Sequence, residues 1–292
     1  MMEQTDKNKK KKVEFYKNRT VAQRLTAGVD FFQYNIKVLF KGILKIIIPI
    51  SLVQAFFVTY YTGSVWNMGT SGSVTGIMVL LFLIFVLGCS LTYAYVASIM
   101  NSYYEDGPED VGVKDSEEFT LFTIKTFFLN LISLSFVAAL FIITIDLEIY
   151  WLIPVVLLFI LFLTPLFNMM YYPMYFEDIP FMKGVAKGME YGLKNWGSTL
   201  FILLISFFLI GVIYYLFLIP MYVGIALQAA LSMTSASLLG GIFGLLGSFC
   251  GAMGINLGLP FLFLFSAFQY SALREKKEGI SLLAKIEDFE NL

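Results

Sequence analysis

The chain has 292 residues, of which 58% are hydrophobic, 17% aromatic and only 14% charged, with a formal net charge of -1. Soluble domains carry about 25% charged residues, so this composition points to a bilayer rather than to a water-filled surround. There is no histidine, which excludes histidine-ligated metals and haem and every Ser-His or Cys-His catalytic arrangement.

The N-terminal stretch is basic, with Lys7, Lys9, Lys10, Lys11 and Lys12 followed by Lys17, Arg19 and Arg24. No apolar run follows directly and no small-residue cleavage site is present, so residues 1–18 read as a retained cytoplasmic tail rather than a signal peptide. Lys9, Lys10, Lys11, Lys12, Lys17, Arg19 and Arg24 suit anionic lipid headgroups, at about 1 kcal/mol for each cation near the surface. Nucleic acid is the lesser reading of such a run, set aside because a membrane segment is attached. The next segment places Val21, Leu25, Val29, Phe32, Ile36 and Leu39 at steps of four and three, an amphipathic helix, with Thr20 and Gln23 fit for a capping box.

Spans of about 20 apolar residues are expected near Leu39–Tyr61, Val74–Ser98, Thr126–Ile145, Ile149–Tyr172, Ser198–Tyr222 and Gly241–Phe268. No charge falls from Ile46 to Tyr104 or from Asn195 to Leu273; a charge at a span centre costs about 2.5–3.5 kcal/mol on insertion scales. Eleven cations, Lys7 through Lys45, precede or open the first span, and the other nine follow the second, fourth and sixth. None falls in the three tips, so the positive-inside rule puts both termini in the cytoplasm of a bacterial-type inner membrane. The tip between the third and fourth spans holds Asp146 and Glu148, read as solvating a tight turn.

The second and third cytoplasmic loops also lead into helices. One opens at Asp115-Ser116-Glu117-Glu118, the other at Asp178-Ile179-Pro180 with Phe181, Val185, Met189 and Trp196 to one side; both are ordinary helix starts. Glu105, Asp106, Glu109, Asp110, Asp115, Glu117 and Glu118 make the second loop acidic, a solvated loop without calcium-loop spacing or a docking patch for a basic partner. Asp30 to Asn35 lines up with Glu190 to Asn195, and Pro165 and Tyr175 with Pro260 and Tyr270. The expected fold is therefore all-α, a six-span bundle at 19–273 built from three repeats (about 19–106, 113–178 and 179–273), each an amphipathic helix and a hairpin, with a cytoplasmic tail at 274–292.

Asp30, Asn35, Leu39 and Phe40, then Ala186–Gly188 and Tyr191 to Trp196 before the fifth span, resemble the six-span membrane domain beside some bacterial glycerophosphoryl diester phosphodiesterases and related bacterial membrane proteins. The resemblance covers most of the chain. The phosphodiesterase barrel of that family has no counterpart here, so no catalytic residue carries over.

Gly240, Gly244, Gly247, Gly251, Gly254 and Gly258 share one helical face, a surface for close packing, either within the bundle or as a homo-oligomer seam or lipid groove. Pro49, Pro154, Pro165, Pro220 and Pro260 kink or open spans. Gln54, Asn130, Asn168, Gln228 and Asn256 lie at membrane depth, suited to interhelical hydrogen bonds. Cys89 and Cys250 read as small buried apolar residues. No cofactor, metal or catalytic set is expected. The expected role is a non-enzymatic scaffold or accessory subunit organising lipid or another membrane or cytoplasmic protein; the alternative is a permease for a lipidic or apolar molecule.

Overall fold

The computed structural model describes residues 13–66, 71–105, 107, 111–113, 115–146, 148–177, 179–230, 238–281 and 286. Among them the regular structure is entirely helical: α1 (Val21–Tyr34), α2 (Ile36–Trp66), α3 (Ser71–Glu105), α4 (Ser116–Asp146), a 3-10 turn (Tyr150–Leu152), α5 (Ile153–Met169), α6 (Tyr171–Phe176), α7 (Phe181–Lys194), α8 (Trp196–Ala230) and α9 (Leu238–Glu278). Five stretches are long and apolar enough to cross a membrane: Met78–Glu105, Ser116–Thr144, Tyr150–Phe176, Trp196–Gly224 and Ile242–Glu278. The expected first span, Leu39–Tyr61, falls within α2, which is not one of the five. The first third of α2 carries Lys37, Lys41 and Lys45.

Two joints follow from asparagine. Asn35 ends α1 and Asn195 ends α7, at φ -106° and -122°. Each side-chain amide donates to the carbonyl four residues back, Asn35 to Phe31 at 3.0 Å and Asn195 to Tyr191 at 3.3 Å. The side chain thus competes with the helical ladder and turns the chain before the long helix resumes. The matched residues of the sequence are one joint used twice. The second loop departs from the pattern. Asp115 Oδ1 accepts from the amides of Glu117 and Glu118 at 2.8 and 3.3 Å, and α4 then runs unbroken to Asp146. No asparagine interrupts it early; Asn130, deeper in, bonds to Ser90 and Tyr171 instead. Among the described residues no separate helix precedes the third span.

The even spans matched at Pro165 and Pro260 differ in their course. Pro260 lies inside an unbroken α9, whereas α5 gives way to α6 at Met170. Pro173 accounts for the difference, since it offers no N–H to the carbonyl of Met169 and its ring crowds that turn; Phe268 stands at the matching place in α9.

The middle of the bundle is α9, 56% buried over its most apolar window against 22% for α8. It packs on α8 above all, then on α2, α1 and α3. Large side chains are fully buried where α1, α3, α6 and α9 meet: Phe31, Tyr103, Tyr172, Phe263, Phe268 and Tyr270. Phe31 meets Tyr103 at 5.0 Å and Tyr172 meets Phe263 at 5.3 Å between ring centroids, within the range where aromatic pairs attract. Along the outer flanks, Phe56, Ile132, Leu158 and Phe208 (74% exposed) face outward. Exposed apolar side chains on this scale mark contact with lipid or another apolar partner.

Candidate functional site: a charged clamp across four segments

Small residues decide which face of each leading helix is packed. The buried face of α1 is Arg24, Ala27, Gly28 and Phe31, and that of α7 is Gly184, Gly188, Tyr191 and Gly192. The apolar stripes are left partly open, with Val29 exposed on α1, Ile36 exposed at the start of α2, and Phe181, Val185 and Met189 half-buried on α7. A methyl group on Gly188 would lie 2.4 Å from the carbonyl oxygen of Met169, and one on Gly192 2.8 Å from that of Pro165. A methyl group on Gly28 would lie 2.6 Å from the ring of Phe265 and 3.7 Å from the backbone of Leu264, the residues aligned with Met170 and Met169. Helix α1 thus sits on α9 as α7 sits on α5 and α6.

This docking brings charged side chains together at one end of the bundle. Glu177, just after α6, has a side chain 6% exposed. Its carboxylate accepts from Lys187 of α7 at 2.7 Å, lies 3.4 Å from Arg274 of α9 and accepts from the Tyr270 hydroxyl. Glu278 holds the same two cations from the other side, at 2.7 Å from Lys187 and 2.8 Å from Arg274, and accepts from Tyr191 at 3.0 Å. Arg274 also donates to the Tyr16 hydroxyl at 2.8 Å and to the Phe176 carbonyl at 3.2 Å. Burial works against the Lys187 charge, but its hydrogen bonds to the Glu177 and Glu278 carboxylates outweigh it and hold its pKa above the ordinary lysine value. At the rim, hydrogen bonds from Lys194 and Lys277 hold the Glu190 carboxyl down at about 2. The clamp joins the segment before α1, the end of α6, α7 and the end of α9.

A cavity of about 470 Å³ opens beside it, walled by Phe15, Tyr104, Phe122 and Tyr175, with Lys125 among Glu105, Glu118 and Glu177. Asn101 bridges Glu118 and the Tyr175 carbonyl, each at 3.2 Å. Among the described residues no three His, Cys, Asp or Glu side chains converge to hold a metal. Aromatic side chains and charged groups line it together, an arrangement suited to holding an apolar group with a charged end.

The residues expected at lipid headgroups are divided by the structure. Lys9, Lys10, Lys11 and Lys12 lie outside the described residues. Lys17 is exposed and pairs with Glu14 at 2.9 Å. Arg19 and Arg24 point inward, 9% and 8% exposed, which corrects their expected place on the surface. Arg19 donates to the carbonyls of Phe15 and Glu14. Arg24 donates to the Arg19 carbonyl at 2.9 Å and to the side chain of Gln269, whose amide reaches Ser198 and Thr199 at 2.9 and 3.1 Å. Burial, then the charge of Arg19, lowers the Arg24 pKa.

The glycine face lies against α8 within the same chain. A methyl group on Gly247 would come 2.7 Å from Met221, on Gly251 3.3 Å from Leu218, on Gly254 2.9 Å from Phe217 and Tyr214, and on Gly258 2.6 Å from Ile210. Gly244 is open, 3.8 Å from Thr59, and the surroundings of Gly240 lie outside the described residues. Glu148 is exposed at a φ of 56°. Cys89 is buried and Cys250 half-buried, both free. Asp178, Asp106, Glu109, Asp110 and the side chains of Asp146 and Gln228 lie outside the described residues. No spacing in the sequence brings the clamp residues together; GxxxGxxxG at Gly184, Gly188 and Gly192 is the signal for the α7 contact.

No protein-family model, curated protein or solved structure matches this chain.

Proposed function

We propose that the chain is a non-enzymatic, six-span protein of the inner (plasma) membrane, with residues 13–20 and 274–281 on the cytoplasmic side, and that it serves as a scaffold or accessory subunit for lipid or a membrane-associated partner. One observation carries this reading: the clamp of Glu177, Lys187, Arg274, Glu278 and Tyr16 ties four segments into one stiff face. Contact of Tyr16 with Arg274 also favours an even number of crossings between them, so α2 joins the five apolar stretches as a sixth. The half-open stripes of α1 and α7 suit the headgroup boundary, as in amphipathic helices that lie in the interface. Exposed Lys37, Lys41 and Lys45 at the start of α2 fit the positive-inside rule there. The resemblance to a membrane domain found beside a phosphodiesterase fits an accessory role.

Native mass spectrometry of the gently extracted protein tests the role. A stoichiometric partner protein, or lipid retained at the cytoplasmic face and lost on Glu177→Gln, is expected. A bare monomer that speeds the passage of phospholipid analogues across reconstituted vesicles would favour the permease reading instead. That second reading has its own support, a cavity along the glycine face between α2, α8 and α9, each of which holds an internal proline.

A further inference from the structure

We infer that the cavity along the glycine face is a binding site for an uncharged lipid alcohol, an apolar chain with one hydroxyl, and that Asn256 reads the hydroxyl. The cavity has a volume of about 330 Å³ and is lined by α2, α3, α8 and α9. Its walls include Val58, Leu81, Phe85, Leu218 and Met221, with Gly247 and Gly251 of α9. From Gly247 to Asn256 it follows α9 for about 14 Å at the helical rise per residue. Several wall residues are half-buried or exposed, so the cavity opens on the flank of the bundle, where hydrocarbon chains would lie.

Asn256 is the informative group. It is 2% exposed, and its Nδ2 gives hydrogen bonds to Ser51 Oγ and Gln54 Oε1, each at 2.9 Å. Both amide hydrogens are thereby used on α2. The carbonyl Oδ1 is buried with no hydrogen-bond partner. A buried acceptor left unmatched costs about 1–3 kcal/mol of desolvation, so the site gains most from an occupant that brings an O–H donor and otherwise presents hydrocarbon. A carboxylate or phosphate offers no donor to Oδ1 and would carry its charge to the depth of Asn256, which a charge-free wall does not compensate. The ligand class is therefore a neutral alcohol rather than an anionic lipid.

This inference rests on the reading of the bundle as membrane-embedded, which side-specific labelling of the loops tests separately; correct topology with no alcohol binding would reject the cavity alone. The test uses the full-length protein in lipid nanodiscs, photolabelled with a diazirine-bearing decanol and competed with decanol, decyl methyl ether or decane. Label is expected on peptides containing Gln54 to Val58 and Gly247 to Asn256. Decanol should compete roughly tenfold better than the ether, the effect of one hydrogen bond. Leu81→Trp, which fills the cavity from α3, should abolish labelling with the melting temperature kept. Asn256→Leu should erase the preference for the alcohol. The comparison of decanol with its ether in the unaltered protein needs no variant to fold. Equal competition by the two overturns the role of Asn256, as when a bound water already satisfies Oδ1. Unsaturable labelling, or labelling elsewhere, overturns the site.

Discussion

Glu177 faces Lys187, Arg274 and the Tyr270 hydroxyl from a position 6% exposed, so removing its charge leaves both cations to Glu278 alone. Losing hydrogen bonds to a charged group costs about 1.5–3 kcal/mol. Glu177→Gln is accordingly expected to lower the melting temperature in detergent sharply, and an unchanged melting temperature would show that the clamp carries no stability. Arg24→Met strands Gln269 and should cost about 2 kcal/mol, as for hydrogen bonds to charged groups, read by the same melting curve. Glu190 gives a pH dependence with a definite sign. Its pKa is depressed from 4.5 to about 2 in the folded chain, so the folded state binds fewer protons there. Its contribution is present above pH 4.5 and lost as pH falls towards 2. The parent should lose stability across that window more steeply than Glu190→Gln; parallel curves would contradict this. Little of this was legible from the sequence. Glu177 and Lys187 stand 10 residues apart but Arg274 is far along the chain, and no periodicity pairs them. Arg19 and Arg24 were assigned to headgroups because cations on an amphipathic helix usually face water, but here the arginine side of α1 is the packed side.

Helix faces follow residue size more closely than hydropathy. The stripe of large apolar residues on α1 and α7 is visible as a period of three and four, yet the face that meets the bundle is the one with Gly28, Gly188 and Gly192. In a bilayer the large apolar side chains lose nothing by facing lipid, and close approach of backbones sets the interface. The same rule made the glycine face of α9 readable in advance. A paired substitution tests it. Gly188→Ala places a methyl group against the Met169 carbonyl and should cost about 1–3 kcal/mol through overpacking. Gly211→Ala, in α8 with nothing within 4 Å, should be neutral or stabilising by up to about 1 kcal/mol from helix propensity. Equal effects at the two sites would sink the idea that α7 is seated by its glycines. Helix starts were legible too: the capping box at Thr20 and Gln23 is formed. The third span's separate leading helix was not, because only the presence of an asparagine at the joint, as at Asn35 and Asn195, distinguishes a turn from a continuous helix.

For the molecule as a whole, the all-helical fold and the long apolar stretches follow directly from the charge-free runs. The order of packing does not, since pairing of α1 with α9 and of α7 with α5 joins residues from different proposed repeats. The central claim is that the clamp end of the bundle is cytoplasmic and that the chain crosses the membrane an even number of times. Labelling of single cysteines by a membrane-impermeant maleimide measures this directly. In a background with Cys89→Ala and Cys250→Ala, cysteines are introduced one at a time as Lys17→Cys, Lys277→Cys and Glu148→Cys. The account predicts that Glu148→Cys is labelled in intact cells, and that Lys17→Cys and Lys277→Cys are labelled only after permeabilisation. Labelling of Lys17→Cys and Lys277→Cys from opposite sides would contradict it.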